Sequence, residues 1–462
     1  MARMFTEEQV QRMISEAVLP LLARISELEA VLSRLKKDSS TSSKPPSSDI
    51  VKPKPKGSSS QVKKRRRRGG QPGHAKQARK MFSSEEVDRT YEYDLTDPGG
   101  LEALDDWRVI QQIELVTKLY GVTEHRARRY RCPETGRIVT APLPGEVARS
   151  GLVGPRLSAL IAYQKGACHM SYGSIRTFMS DVLGIDLSSG QLAKVVHKAS
   201  KSLAGAYQEL KQALPDQAHL GVDETGHKDH GKRHWTWCFR GNDMTVFKID
   251  SSRSCQVLVD TLGKAFHGVI GCDYFSAYRK YLGQSNGKVQ FCLAHLIRDI
   301  KYLTTLGNKA TQRFGQKLLK SLKRLFHVFH RRDDMDPKRF QKSMQRARDK
   351  LLAIAKRPPA RTETRAMAKR FRKHGRFYFT FMQQEGVEPT NNATEQAIRF
   401  VVIDRKVTQG TRGERGQRWC ERIWTTLATC TQQHRSAFQF INESIHAHLA
   451  GRPTPSLMPT NL

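Results

Sequence analysis

Two aspartates at the ends of apolar segments are the residues of this chain best placed to do chemistry. Asp223 follows Leu220-Gly-Val, and Asp273 follows Gly268-Val-Ile-Gly-Cys; both segments are typical of short buried strands. If these strands are neighbours in one sheet, the carboxylates lie close together and repel each other unless a divalent cation, Lys or Arg lies between them. The pair therefore predicts a cation site, although an aspartate at a strand end is also a common turn former.

A third carboxylate should come from a helix packed against the same edge of the sheet. Residues 391–399 have this character: Asn391 is the predicted N-cap, and Glu395 lies about one turn inside. The predicted apolar stripe of this helix is Ala393, Ala397, Phe400 and Val401. A solvated Glu395 is the alternative, and Glu224 should face away from Asp223 because strand side chains alternate. The competing acids are Glu224, Asp229, Asp250, Asp299, Glu385 and Glu388.

Ligands that are all oxygen favour Mg²⁺ or Mn²⁺ over zinc. Two such ions about 3.5–4 Å apart would clamp the attacking and leaving oxygens of an in-line phosphoryl displacement. This is the chemistry of nucleases and strand-transfer enzymes, and it needs no Ser or Tyr nucleophile.

The elements that would position these acids predict an α/β fold. Within residues 213–306, one short apolar segment and two alternating segments predict an antiparallel meander, and strands then alternate with helices. This is the strand order of an RNase-H-like mixed sheet, in which the first and fourth strands are neighbours. Residues 307–385 are predicted to be a basic helical insertion, broken near Pro358-Pro359. Residues 386–462 would complete the core with the Glu395 helix and a C-terminal region.

Four further segments precede this core. In residues 1–38, apolar heptad positions along residues 14–37 predict a leucine-zipper-like coiled coil and a homo-oligomer; the alternative is a helix packed on its own domain. Residues 39–80 predict a disordered basic linker. Residues 81–150 predict a small β-rich domain with a turn at 132–136. Residues 151–212 are helical with helix-turn-helix proportions, which is a weak indication of DNA binding.

The charge of the chain is concentrated in two of these segments. The 462 residues carry a net charge of +35. Residues 39–80 contain 13 Lys and Arg against one acid, and residues 301–380 contain 24 against five. This segregation predicts two contacts with a polyanion, most simply nucleic acid, although a basic run can also be a solvated tail. The basic run expected to contact DNA is Lys63, Lys64, Arg65, Arg66, Arg67 and Arg68.

Other classes of protein are excluded by what the sequence lacks. No segment has the length and apolar character of a membrane span, and the N-terminus has no apolar region of a secretory signal. The eight cysteines include no Cys-x-x-Cys pair, which argues against a zinc ribbon and a disulfide framework. We therefore expect reduced thiols in a cytoplasmic, nucleoid-associated protein without membrane contact.

Six short motifs together resemble the insertion-sequence-66 family of bacterial transposases. In chain order they are Ser42-Ser-Lys-Pro-Pro-Ser-Ser-Asp49, Gly69-Gly-Gln-Pro-Gly-His74, Val222-Asp-Glu-Thr225, Cys292-Leu-Ala-His295 with Arg298, Asn391-Asn-Ala-Thr-Glu395 with Arg399, and Arg405-Lys406. The resemblance implies a DDE transposase with an RNase-H-like core, and it assigns the catalytic, metal-binding triad to Asp223, Asp273 and Glu395. It places Cys292, His295 and Arg298 near the active site, with a buried structural histidine as the alternative. It also implies phosphate contacts by Arg298, Arg399, Arg405 and Lys406, for which surface charge is the alternative.

One departure from the family concerns zinc. Members usually carry a small zinc-binding unit with two cysteine pairs before the helical domain, and here only Cys132 and His74 resemble it. We therefore predict no zinc.

The resulting hypothesis is a transposase of a bacterial insertion sequence. It would bind element-end DNA, cleave phosphodiesters with two Mg²⁺ or Mn²⁺ ions, and join the 3′-OH ends to target DNA. The resemblance also suggests accessory proteins of the same element as partners. The alternatives are an inactive, transposase-derived DNA-binding protein and a metal-dependent nuclease without strand transfer.

Overall fold

The computed structural model describes residues 81–92, 109–113, 115 and 119–459, together with residues 8, 11–13, 16–21 and 24 near the N-terminus. The chain divides into two compact units, residues 1–53 with 127–462, and residues 54–126. The predicted basic linker, with residues 63–68, lies outside the described residues, and so does most of the predicted coiled coil of residues 14–37. Residues 11–13 and 16–21 are helical.

In the unit of residues 54–126, two local contacts order the described backbone. Ser83 precedes a 3-10 turn, Ser84–Glu86, and donates its backbone N–H and its hydroxyl to the Glu86 carboxylate. The side chain of Gln111 bonds both backbone groups of Phe82.

Within residues 81–150, the strands that the structure describes are confined to one hairpin. Strands β1 (Arg129–Arg131) and β2 (Ile138–Thr140) pair antiparallel. The turn predicted at residues 132–136 joins them: the Gly136 N–H donates to the Cys132 carbonyl, and Gly136 has a φ of +67°, which favours glycine.

Helices fill the segment that was predicted to be helical before the core. They are α1 (Gly145–Ser150), α2 (Pro155–Gly166), α3 (Tyr172–Leu183), α4 (Ser189–Ser202) and α5 (Ala204–Gln212). Helix α3 ends at Gly184 in the left-handed conformation, and α4 begins at Ser188, whose hydroxyl accepts the Gln191 N–H. These two caps bound the short turn between the helices.

The centre of the larger unit is a five-stranded mixed sheet in the order β5-β4-β3-β6-β7. Its elements are β3 (His219–Asp229), β4 (Lys232–Arg240), β5 (Thr245–Asp250), α6 (Gln256–Leu262), β6 (Val269–Cys272), α7 (Ser276–Leu282), β7 (Lys288–Phe291) and α8 (Leu293–Leu303). The first three strands are antiparallel, and β6 and β7 run parallel to β3. The predicted meander, and the predicted pairing of the first and fourth strands, are therefore confirmed.

Six α-helices follow α8 in the described part of the chain. They are α9 (Lys309–Phe329), α10 (Pro337–Ala355), α11 (Thr362–His374), α12 (Asn392–Thr408), α13 (Glu414–Gln432) and α14 (Ala437–Ala450). The chain breaks between α10 and α11 at Pro358-Pro359, as predicted, because proline cannot donate the backbone hydrogen bond of a helix interior. Helix α13 covers β5, and α14 packs on α2 and α4. Among the described residues, no helix has the length and apolar character needed to cross a bilayer.

Candidate active site

The register of the sheet places Asp223 and Asp273 at equivalent positions on neighbouring chain segments. The parallel pairing of β3 with β6 ends at Gly221 opposite Gly271, and two further residues along each chain reach the two aspartates. The prediction that Asp223 ends its strand was wrong, because β3 continues to Asp229 as a hairpin with β4. Asp223 therefore lies where β3 leaves β6, beside the point at which Asp273 leaves the sheet.

Helix α12 reaches this edge because the strand beneath it carries no side chain at Gly221. A Cβ there would collide with the side chains of Thr394 and Asn391. Asn391 occupies the N-cap position but makes no capping bond; its amide donates to the Val222 carbonyl at 2.9 Å instead. The helix start is thus tied directly to the strand that carries Asp223.

The buried face of α12 differs from the prediction. The buried residues are Thr394, Ile398, Val401 and Asp404, whereas the predicted Ala393 is exposed and Ala397 and Phe400 are half-buried. The close approach over Gly221 selects the small Thr394 for the inner face. Because Glu395 is the next residue, it lies beside this contact, with 28% of its side chain exposed.

Glu395 is held by the start of α8, which carries Cys292-Leu-Ala-His295 (the CxxH segment) and, one turn later, Arg298. One guanidinium nitrogen of Arg298, Nη2, donates to both Glu395 oxygens at 3.1 Å. The His295 Nδ1 atom is 3.4 Å from Glu395 Oε1. Burial and the neighbouring Arg298 lower the pKa of His295 to about 3, so its ring is neutral at pH 7. The Cys292 Sγ atom accepts the Asn391 N–H at 3.2 Å. Cys292, His295 and Arg298 therefore lie beside Glu395.

The electrostatics around Asp223 are unfavourable for a bare carboxylate. Burial raises its pKa well above the ordinary value, and repulsion from Glu224, Asp273 and Glu395 raises it further. Its carboxylate accepts the Glu224 N–H at 2.9 Å. Burial also raises the pKa of Asp273, which accepts the Phe275 N–H at 2.8 Å. Each of these two aspartates thus accepts a nearby backbone N–H while burial raises its pKa.

Glu224 lies on the opposite face of β3 from Asp223, as strand alternation predicted. Its carboxylate accepts two bonds from Arg253, at 2.5 and 2.8 Å, and one from the Tyr278 hydroxyl on α7. Burial and the nearby Asp273 nevertheless raise the pKa of Glu224 to about 7. Glu224 thus has Arg253 as its counterion, and Asp223 differs from it in this respect.

Arg370, on helix α11 of the basic insertion, contacts residues next to the candidate site. Arg370 on α11 donates to Asp299 of α8 at 2.7 Å, and its guanidinium lies 3.7 Å from the ring centroid of Tyr274. Tyr274 follows Asp273 directly in the chain. Arg370 is part of the positive surroundings that lower the pKa of Asp273 against the effect of burial.

The three basic residues predicted on the Glu395 helix differ in their surroundings. Arg405 is half-buried and donates to Thr225 on β3 at 3.1 Å, and burial lowers its pKa. Arg399 and Lys406 are exposed. Arg405 therefore braces α12 against the sheet, while the other two point into solvent.

A comparison with known families identifies the family of this chain. A family model described as "Transposase IS66 family" matches residues 150–418, more than half of the chain. The chain belongs to this transposase family. The matched residues include β3, Asp273, the CxxH segment and α12, so the whole candidate site lies within them.

Two further matches extend the comparison. Residues 4–80 of this transposase match a family of unknown function, DUF6444. An uncharacterized protein, y4qI, of Sinorhizobium fredii (strain NBRC 101917 / NGR234) is 22% identical over 435 residues, which is 85% of this chain and 79% of that protein. The resemblance drawn from the six motifs is thereby confirmed at the level of the family.

Arg253, Tyr278 and Arg370 are residues of the candidate site that sequence reasoning missed. Each reaches the acids from 29 to 71 residues away in sequence, and no local spacing marks them. Glu224 was named among the competing acids, and its position next to Asp223 was the signal that could have drawn attention to it.

Proposed function

We propose that this transposase is a DDE-type enzyme that cleaves DNA at the ends of its element and joins the 3′-OH ends to target DNA. The observation that carries the proposal is the meeting of Asp223 and Asp273 at the end of one parallel ladder, with the start of the Glu395 helix tied to the same strand. The strand order and the helices after it support an RNase-H-like core.

The donor set at this edge fits hard divalent cations. Asp223, Asp273 and Glu395 would hold Mg²⁺ or Mn²⁺, because carboxylates are the ligands these ions prefer. When bound, such ions polarise a phosphodiester and supply an attacking oxygen at neutral pH. The raised pKa of Asp223 supports this fit, since a cation would offset the repulsion by three neighbouring carboxylates.

The other residues of the site position these acids. Arg253 neutralises Glu224, and Arg298 neutralises Glu395, while Arg253 and Arg370 lower the pKa of Asp273 against the effect of burial. Asn391 fixes the distance between α12 and β3 through its bond to Val222. We infer that these contacts hold the acids in place before DNA arrives.

The DNA backbone would be held by the basic helices of the insertion. Helix α9 buries Phe314, Leu318, Leu322, Leu325 and Phe329. Arg313, Lys317, Lys320 and Arg324 are exposed and spaced at helical intervals, and the helix contains no acid. A stripe of this kind is suited to sequence-independent phosphate contacts.

The experiment uses the full-length protein and duplex DNA carrying the inverted repeats that flank its gene. With Mg²⁺ we expect a nick at the element end and then joined product when target DNA is added; with EDTA we expect neither. Nicking without joining would indicate a nuclease, and specific binding without nicking at any metal concentration would indicate an inactive DNA-binding descendant. If the coiled coil and accessory proteins contribute, they would do so by pairing the two ends, which a comparison of one-ended and two-ended DNA measures.

A further inference from the structure

A second set of potential metal ligands adjoins the carboxylates, and its chemistry is different. A thiol sulfur from Cys292, an imidazole nitrogen from His295 and a carboxylate oxygen from Glu395 lie within 4.8 Å of one another. Among the residues that the structure describes, this is the group of three or more Cys, His, Asp and Glu side chains that meets this distance. Asp223 and Asp273 do not belong to it.

The geometry of the fold explains how these three side chains come together. Cys292 is the N-cap residue of α8 and His295 is three positions later, so both lie on one face of the first turn. Glu395 comes from α12, whose start is bonded to Cys292 through the Asn391 N–H. The group therefore spans two helices that also bond one another.

An orphaned atom points into this group. The Nδ1 atom of His295 is buried without a hydrogen-bond partner, and His295 as a whole is 7% exposed. It faces Glu395 Oε1 at 3.4 Å, a distance too long for a good hydrogen bond. Buried polar atoms are nearly always satisfied, so an unpartnered nitrogen beside a thiol and a carboxylate indicates a missing partner, and a cation is one that all three could share.

We propose that Cys292, His295 and Glu395 bind one borderline-soft divalent cation of the Zn²⁺ type. While this cation is bound, Glu395 cannot serve as a ligand of the oxygen-ligated ions. Sulfur and nitrogen ligands favour zinc over magnesium, and three protein ligands leave one position open. The inhibitory half of this statement rests on the proposed function. The zinc expectation drawn from the sequence concerned cysteine pairs near Cys132 and did not consider this site.

Arg298 limits how tightly such a site holds its ion. Its guanidinium donates to both oxygens of Glu395 and lies 3.4 Å from His295 Nε2. This positive charge repels a cation and occupies part of the carboxylate. A carboxylate has about four acceptor positions, so the ion and Arg298 can share Glu395, but at lower affinity than without the arginine. The site is therefore suited to respond to zinc concentration rather than to hold zinc permanently.

The test uses untagged full-length protein, Co²⁺ as the probe and no DNA. Zinc is d¹⁰ and gives no visible spectrum, whereas cobalt bound to a thiolate gives a sulfur-to-metal charge-transfer band. We expect this band to saturate at one Co²⁺ per chain and to disappear when Zn²⁺ is added. Cys292→Ser should abolish it, and His295→Gln should weaken Co²⁺ binding by roughly 10- to 100-fold, the range seen even for outer-shell partners. Arg298→Gln should strengthen binding by about fivefold, because one like charge is removed.

Two matched controls address the other thiols. Cys132 and Cys168 are the less buried of the eight cysteines, so Cys132→Ser and Cys168→Ser test for adventitious binding and should keep the full band. A wild-type protein with no sulfur-to-cobalt band, or a Cys292→Ser protein that retains it, would overturn the proposal. Glu395→Gln is the second variant, since Glu395 is part-exposed and glutamine keeps its shape; wild-type Co²⁺ affinity in that variant would also overturn it.

A separate measurement tests the inhibition. Zn²⁺ should block Mg²⁺-dependent nicking by the wild-type protein, and Cys292→Ser should need about tenfold more Zn²⁺, since loss of a ligand costs at least that factor. Equal inhibition of both proteins would refute the competition for Glu395. A protein that gives the cobalt band but never nicks DNA would sink the proposed function and leave the soft-metal site standing.

Discussion

Two aspartates on the same strand, Asp223 and Asp229, have opposite surroundings. Asp229 is 9% exposed, and its carboxylate accepts the Thr411 hydroxyl at 2.7 Å and the Gly413 N–H at 2.8 Å. Burial alone would raise its pKa, but these hydrogen bonds and His230 outweigh burial and lower it. Asp223 accepts the Glu224 N–H and has three acidic neighbours, and its pKa is raised.

The difference separates a structural carboxylate from a candidate ion ligand. Asp229 fastens the loop after α12 to the end of β3, where the Thr411 N–H also donates to the Lys228 carbonyl. Its donors are all in place in the protein itself. In the proposed function, a bound cation takes the place of such donors at Asp223.

The largest expected effect is on cleavage. Asp223→Asn should reduce Mg²⁺-dependent nicking by roughly 10³-fold or more, because metal-ion stabilisation of a phosphoryl transfer supplies several kcal/mol and each 1.36 kcal/mol is tenfold in rate. DNA affinity should stay within about twofold of wild type, which a gel-shift titration checks. The matched control is Asp250→Asn, an acid on β5 bonded to Lys248. Retained cleavage in Asp223→Asn would remove this residue from the site.

At the other end of β3, the expected effect is on the stability of the fold. Asp229→Ala leaves the Thr411 hydroxyl and the Gly413 N–H without their acceptor, so it should lower the free energy of unfolding by about 2–3 kcal/mol. Urea denaturation measures this. Thr411→Val in the same background should add little, since both changes remove one network. A fully stable Asp229→Ala protein would mean that the loop after α12 is held by other contacts.

Much of this comparison could be predicted from sequence. Asp223 and Asp273 were located because each follows a short apolar run, and buried parallel strands read as such runs. Their adjacency followed from the order of strands and helices. The break at Pro358-Pro359 and the turn at Gly136 depend on the local conformational limits of proline and glycine, which no tertiary contact overrides here.

The rest depended on contacts between distant segments. The hairpin half of β3, Glu-Thr-Gly-His-Lys-Asp, is polar, and its inward residues are buried only because other elements cover them: His227 lies near Trp424, and Thr225 bonds Arg405. For the same reason Asp229 was named only as a competing acid, since its donors are more than 180 residues away. The inner face of α12 was misjudged because an apolar pattern cannot show that two glycines pair beneath the helix.

A smaller effect should distinguish the two aspartates by metal binding. Mg²⁺ at ten times its Kd should raise the free energy of unfolding of the wild-type protein by about 1.4 kcal/mol, because a ligand that binds only the native state stabilises it. Asp229→Ala should gain a similar amount from its lower baseline, whereas Asp223→Asn should gain little. Thermal melts with and without Mg²⁺, with Ca²⁺ as a second oxygen-preferring ion, provide the measurement. Equal stabilisation of all three proteins would place the ion elsewhere.

The pH dependence of stability in EDTA is also expected to differ between the two aspartates. Both have an ordinary pKa of 3.8 in the unfolded chain. Because the pKa of Asp223 is raised on folding, its ionisation opposes the native state as pH rises above 3.8, by at most about 1.4 kcal/mol per pH unit. Asp223→Asn should therefore gain more stability over wild type at pH 7.5 than at pH 5.

The pKa of Asp229 is lowered, so its contribution is complete above pH 3.8 and is lost only as pH falls further. The deficit of Asp229→Ala should accordingly be the same at pH 5 and pH 7.5, and parallel pH curves for the two variants would contradict the contrast between their sites.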